Sequence, residues 1–313
     1  MTGLLALCAT GLDPKAVQAL EDEYFRGWNM ESHDPRRTGR SVVNGPRSGN
    51  KVWEHVASDG YVINMEPTAT RRGGFFGTWG VVRGFGKRKR TWDKFDGKIY
   101  GLDIHSGKAL WQPLKLDETR FAYRYKSRPT TENDAAAGPG YHLSGYSGTV
   151  EGTGAFDSVN GNIYFGRGDG KLYAVDSSKG NIVWSFKTHD PVRPDDPEGG
   201  GQIFGGPLVT EDGAIIFATS AGPPEKDRAP STVRCETNAV YALDRSGKML
   251  WRYPATGSPG NPVTAPVALS PDGTRVYAVT ALIDEREGGE VIALERASGK
   301  LIWRLHHSRF GGQ

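Results

Sequence analysis

The chain has 313 residues, of which 43 are Gly and 19 Pro; hydrophobic residues make up 37% and the formal net charge is +3. So small a charge does not by itself suggest a nucleic-acid protein, and no apolar run approaches the roughly 18 residues a membrane helix requires. Cys8 and Cys235 lie too far apart to read as a disulfide framework or metal motif, and without Cys-x-x-Cys-His no covalent haem is expected.

In chain order, residues 1–12 are apolar but lack the basic start of a signal peptide. Leu5-Ala6-Leu7-Cys8 resembles a lipoprotein cleavage box, yet Leu7 departs from its small-residue preference, so no convincing export signal is read. A short helix is predicted over 13–26, with Asp13 as cap, Pro14 in the first turn and Val17, Leu20 and Tyr24 as its apolar stripe. Residues 1–45 are thus read as helix and lead-in, and 46–313 as a repeat domain. Within the lead-in, His33 and Asp34 could form a catalytic pair, but a turn role is the better reading. Residues 50–67 supply an isolated strand bearing Trp53, expected to pair with material near the C-terminus.

Residues 71–98 carry nine Lys or Arg against Asp93 and Asp96, a local charge of +7, interleaved with Phe and Trp. That composition suits a polyanion or a single-stranded nucleic acid. Arg83, Lys87, Arg88, Lys89, Arg90 and Trp92 are the candidate partner surface. The competing reading makes the aromatics core and the Lys87–Arg90 run a solvated turn.

The dominant signal is a repeated stretch. GKIYGLDIHSGKALW (97–111), GKLYAVDSSKGNIVW (170–184), NAVYALDRSGKMLW (238–251) and GEVIALERASGKLIW (289–303) share one pattern. Each has an apolar run, an acidic residue, a short polar link, Gly, and Trp four residues after that Gly. The alternation at Leu172 and Ala174, and at Val240 and Ala242, predicts half-buried strands. Asp103, Asp176 and Asp244 can accept from their own downstream backbone, and the following Gly can take φ > 0, so each copy reads as a β-hairpin. Upstream strands, such as 161–170, 213–222 and 274–284, precede three of the copies. Trp spacings of 73, 67 and 52 exceed the roughly 40–45 residues of one blade, leaving room for insertions. Those insertions are a polar loop at 113–144, an acidic loop at 190–202 that lacks EF-hand spacing, and 223–237 around Cys235.

Stretches such as YAVDSSKGNIVW and YGLDIHSGKALW resemble the tryptophan-docking repeat of the quinoprotein-like β-propellers. That superfamily holds the pyrroloquinoline-quinone alcohol dehydrogenases and the propeller lipoprotein of bacterial outer-membrane assembly. The resemblance implies an all-β fold, a β-propeller of four-stranded antiparallel blades with four to five blades encoded. It also implies that Trp53, Trp111, Trp184, Trp251 and Trp303 dock on neighbouring blades, and that the bacterial protein works in the periplasm or another extracytoplasmic site. The dehydrogenases hold quinone and calcium in a central funnel, beneath a disulfide between adjacent Cys. This chain has no such Cys pair and no carboxylate that matches the family's ligands, so no catalytic, cofactor or metal residue is carried over. The expected function is a binding or scaffold protein that engages a protein or small molecule at its rims. The alternatives are a quinone-dependent oxidoreductase using pyrroloquinoline quinone and calcium and, more weakly, a polyanion binder acting through 71–98.

Overall fold

A computed structural model describes residues 27–41, 48–57, 65–78, 97–116, 124–126, 141–143, 150, 152–168, 170–188, 203–219, 239–254, 263, 265–280 and 289–307. The helix predicted over 13–26 lies outside them. The described residues form four four-stranded antiparallel sheets and one two-stranded sheet. Blade one comprises β1 (Thr68–Thr70), β2 (Gly73–Gly77), β3 (Lys98–Leu102) and β4 (Leu114–Lys115). A hairpin of β5 (Arg124–Lys126) and β6 (Tyr141–Leu143) lies in the following insertion. Blade two is β7 (Ala155–Phe156), β8 (Asn162–Gly166), β9 (Lys171–Asp176) and β10 (Ile182–Lys187). Blade three is β11 (Leu208–Val209), β12 (Ile215–Ala218), β13 (Ala239–Leu243) and β14 (Met249–Pro254). Blade four is β15 (Ala268–Leu269), β16 (Arg275–Thr280), β17 (Gly289–Glu295) and β18 (Leu301–His307).

Within each blade the strands pair antiparallel in chain order, with the long segments 78–97 and 219–238 standing between the second and third strands of blades one and three. The first strands of adjacent blades come together, β7 lying beside both β1 and β11. The expectation of half-buried third strands is corrected here. Leu172–Val175 and Ala239–Leu243 are buried throughout, because a blade packed on both sides has no solvated face. Alternating burial appears instead in the outer strand β10. One core cluster joins Tyr164 and Leu172 of blade two to Phe217 and Tyr241 of blade three and Val276 and Ile292 of blade four. Blade one shares a second cluster with blade two through Phe75, Ile99, Phe165 and Tyr173.

Blade one departs from the other three. Its fourth strand is only Leu114–Lys115, set after Trp111, and Pro113, with no N–H to donate, stands between them. The insertion expected at 113–144 therefore begins inside a blade, since β4 pairs with β3 and Leu116 is 4% exposed. Residues 51–57 form no ladder, and β18 pairs with β17, so the expected pairing of Trp53 with C-terminal material is not what the described residues display.

Candidate functional site

The repeated hairpin turns close on local bonds. The N–H groups of Gly107, Gly180, Gly247 and Gly299 donate to the carbonyls of Asp103, Asp176, Asp244 and Glu295. Asp Oδ1 then accepts from the serine beyond it, Ser106, Ser178 or Ser246, through both its N–H and its hydroxyl. Those serine hydroxyls are the largest influence holding Asp103, Asp176 and Asp244 below the ordinary carboxylate value. The four glycines have φ of 67° to 84°, the left-handed region the turn demands.

Each of these turns receives a Trp from the element before it. The indole N–H of Trp53 donates to the Ile104 carbonyl at 2.8 Å, and Trp111 to Ser177 at 3.1 Å. Trp184 donates to Arg245 at 3.0 Å and Trp251 to Arg296 at 2.8 Å. In every case the acceptor is the residue immediately after the acidic one. The ring lies against the glycine, so close that a Cβ on Gly180 would fall 2.2 Å from Trp111 and one on Gly299 2.4 Å from Trp251. In blades two, three and four the ladder slips by one residue just before the Trp, leaving Val183, Leu250 and Ile302 unpaired. Such a bulge re-aims the side chain that follows it. Nothing in the repeat's spacing announced it.

Charge follows the same route. Arg245, whose carbonyl receives Trp184, donates its Nε to Asp157 of blade two at 2.6 Å. Arg296, whose carbonyl receives Trp251, reaches both oxygens of Asp212 of blade three at 2.7 Å. Burial raises the Asp212 carboxyl, but Arg296 and Thr210 together bring it below its ordinary value.

A second set of interactions spans all four blades: residues 28–37 run as a strap across their innermost strands. Trp28 exchanges backbone bonds with Ala69 of β1, and the Asn29 carbonyl accepts from Phe156 of β7. Glu31 Oε2 accepts from Gly206, just before β11, and the Pro35 carbonyl accepts from Leu269 of β15. Arg37 closes the strap, its guanidinium donating to the carbonyls of Glu31 (2.6 Å), Gly206 (2.8 Å) and Val267 (3.0 Å). Desolvation pushes Arg37 down to about 10 against the pull of Glu31, Asp34 and Glu66, so it stays charged at neutral pH. Ser32, His33 and Arg37 all have positive φ, a cost to non-glycine residues that the surrounding bonds sustain. Asp34 caps this turn, accepting from the N–H groups of Arg36 and Thr38 and from the Thr38 hydroxyl. His33 is buried, edge-on to Trp28, with Nδ1 3.5 Å from Asp34. Both residues of the suspected catalytic pair thus sit inside a packed turn. Sequence reading missed Arg37, whose carbonyl partners lie as far as 230 residues away.

Of the remaining expected residues, Phe75 and Phe76 are core, Phe76 stacking on Tyr100 at 5.1 Å. Arg83, Lys87, Arg88, Lys89, Arg90 and Trp92 lie outside the described residues, as do the acidic loop at 190–202, Cys8 and Cys235. The fit to quinone and calcium is poor among the described residues. No group of three His, Cys, Asp or Glu there could hold a metal ion. The carboxylates beside the inner strands are engaged by the chain itself: Glu31 by Gly206, and Glu66 by the Trp28 indole and the Ser32 N–H.

Four-stranded antiparallel blades, linked in series by a Trp set on the next blade's turn, define a propeller-repeat protein of the quinoprotein-like class. The family model described as outer membrane protein assembly factor BamB matches residues 95–311, and the chain belongs to that family. It is 26% identical to the BamB of Nitrosomonas eutropha over 46% of this chain and 36% of that protein. It is 30% identical to quinohemoprotein alcohol dehydrogenase ADH IIB of Pseudomonas putida over 33% of this chain and 13% of that one. Among solved structures, quinohemoprotein alcohol dehydrogenase ADHIIG from Pseudomonas putida HK5 superposes with a TM-score of 0.59 at 14% identity, covering 95% of this chain and 42% of that one. The likeness to that structure is one of fold. The chain spans less than half the length of each of these proteins.

Proposed function

We propose that this chain is a propeller-repeat scaffold that binds a protein partner through its insertions and rims, in an extracytoplasmic compartment. The observation that carries this reading is how the polar groups beside the inner strands are used. Glu31, Asp34, Arg37 and Glu66 all bond to the chain's own backbone, which suits a rigid frame better than a reaction centre. The family model, named for an outer-membrane assembly factor, supports both the scaffold role and the compartment. In this reading the Trp seats are docking latches between blades. The β5–β6 hairpin and the basic stretch at 71–98, with Arg83, Lys87, Arg88, Lys89, Arg90 and Trp92, are the surfaces for a partner, with polyanions as the weaker choice there.

The test deletes residues 124–143 and joins the ends with a short Gly-Ser link. β4 and Leu116 are kept because they belong to blade one, so the melting midpoint stays near that of the parent chain. Crosslinking in cell-envelope preparations then loses the partner adduct. Retention of the adduct would sink the reading. The 30% identity to a quinohemoprotein dehydrogenase favours a second reading, a quinone-dependent oxidoreductase. Titration with pyrroloquinoline quinone and calcium decides between them: saturable, stoichiometric quenching of Trp fluorescence supports the enzyme, and no quenching supports the scaffold.

A further inference from the structure

We propose that Asn160 is a site of spontaneous deamidation, a modification that the native turn holds back through the Tyr164 hydroxyl and that opening of blade two releases. Among the described residues it is the only asparagine followed by glycine. Glycine has no side chain to shield its backbone nitrogen, so that nitrogen can close on the amide carbon of the residue before it. Asn160 stands exposed at the tip of the turn between β7 and β8, and Gly161 has a φ of 76° there. The reaction joins Gly161 N to Asn160 Cγ. Gly161 N gives up its proton, and Nδ2 takes up a proton and leaves as ammonia. Water then opens the succinimide: cleavage at Cγ leaves aspartate, and cleavage at the Asn160 backbone carbonyl leaves isoaspartate, with an extra carbon in the main chain. Water enters, ammonia leaves, and no oxidant is needed.

In the native turn every group that would react is engaged. The Gly161 N–H, the nucleophile, donates to the Asp157 carbonyl at 2.8 Å. Asn160 Oδ1 accepts from the Asn162 N–H at 2.9 Å, which fixes the orientation of the amide. Nδ2, the leaving group, donates to the Tyr164 hydroxyl at 2.9 Å. Tyr164 is buried, and burial pushes its hydroxyl up to about 12, so it stays protonated and cannot take the Gly161 proton. The Asp157 carboxylate, at the head of the turn, is committed to the Val159 N–H and to Arg245. Reaction therefore waits on local opening of these bonds.

The place of this pair in the fold gives the modification its consequence, because Gly161 serves both joints of blade two. Its carbonyl accepts from the Ser177 N–H, and the Ser177 carbonyl receives the indole of Trp111 from blade one. Its own N–H bonds to Asp157, whose carboxylate pairs with Arg245 of blade three. An added carbon between Asn160 and Gly161 displaces both bonds, so isoaspartate loosens blade two from its neighbours on either side.

The test incubates the full chain at neutral pH, folded and in urea, and follows the amide-to-acid exchange by peptide mapping in a mass spectrometer. In urea Asn160 is expected to convert together with Asn44, which also precedes Gly and shows that the chemistry has run. In the folded chain conversion at Asn160 is expected to be at least about tenfold slower. Tyr164→Phe keeps the ring and removes the acceptor; it should speed conversion several-fold in the folded chain and leave the rate in urea unchanged. Asn160 intact in urea where Asn44 has converted, or equal rates folded and unfolded, overturns the proposal. So does a cooperatively melting Tyr164→Phe that reacts no faster than the parent. Should that variant fold poorly, the ratio of folded to urea rates in the parent chain decides alone. The isoaspartate fraction, refolded, is expected to melt below the unmodified chain, and equal midpoints would overturn the effect on the joints. None of these readouts involves a partner, so failure here leaves the scaffold reading to its own experiment.

Discussion

A glycine and an indole set the distance between blades. At Gly180 two demands coincide: a φ of +68° and a Trp111 ring that leaves no room for a Cβ. Gly273 has almost the same φ, +69°, but nothing within 4 Å of where its Cβ would be. The pair therefore separates conformational cost from contact. Gly273→Ala is expected to cost about 1 kcal/mol, the strain of a left-handed non-glycine residue alone. Gly180→Ala should cost at least about 2 kcal/mol more, because Trp111 must leave its seat and its bond to Ser177. Urea denaturation of the two variants measures the difference, and equal losses would show that the Trp contact carries no stability. The Gly-to-Trp interval was legible in the sequence because four copies repeat it. The bulge that aims the Trp was not, since Val183, Leu250 and Ile302 look like any other apolar strand residues.

The strap is the element that joins the innermost strands of four blades, and Arg37 is its fastening. Replacing Arg37 with Met removes the guanidinium and leaves the carbonyls of Glu31, Gly206 and Val267 without their donor. Charge-assisted bonds of this kind contribute about 1.5–3 kcal/mol each before the strap relaxes, so a loss of about 3 kcal/mol or more in denaturant unfolding is expected. Arg37→Lys should recover little of it, because one ammonium cannot reproduce a planar fork directed at separate carbonyls. Full stability in Arg37→Lys would mean that charge alone holds the strap. In the sequence this segment shows only a turn around His33 and Asp34, and that much the structure bears out. What the turn is for depends on Gly206, Val267 and Leu269, which no local pattern connects to it.

Across the whole molecule, the same chemistry recurs at each blade and makes stability sensitive to acid. Asp34, Asp103, Asp176, Asp212 and Asp244 all lie below the ordinary value of 3.8, and Asp272 is brought to about 2, chiefly by the Ser270 hydroxyl. A carboxylate whose pKa is lower folded than unfolded adds stability that is complete above the unfolded value and is lost as pH falls through the folded one. Unfolding free energy should therefore be flat in these groups from pH 7 to about 5 and decline from about pH 4 toward 2. Thermal melts across that range check it, and a stability that rises on acidification would contradict the turn geometry. Each group contributes little because most are solvated; the effect comes from repetition across the blades.

Repetition also explains how far reading the chain could go. Turn type follows from bonds that close within about five residues, and the class of fold from the repetition of that hairpin, so the relevant atoms are near neighbours in the chain. Burial of both faces of the third strands, the Arg296–Asp212 pair and the strap joined by Arg37 arise only when blades stack. They unite groups separated by 84, 169 or 230 residues, and side chains at such distances are matched by shape and unsatisfied backbone valence, which leave no periodic trace in the sequence.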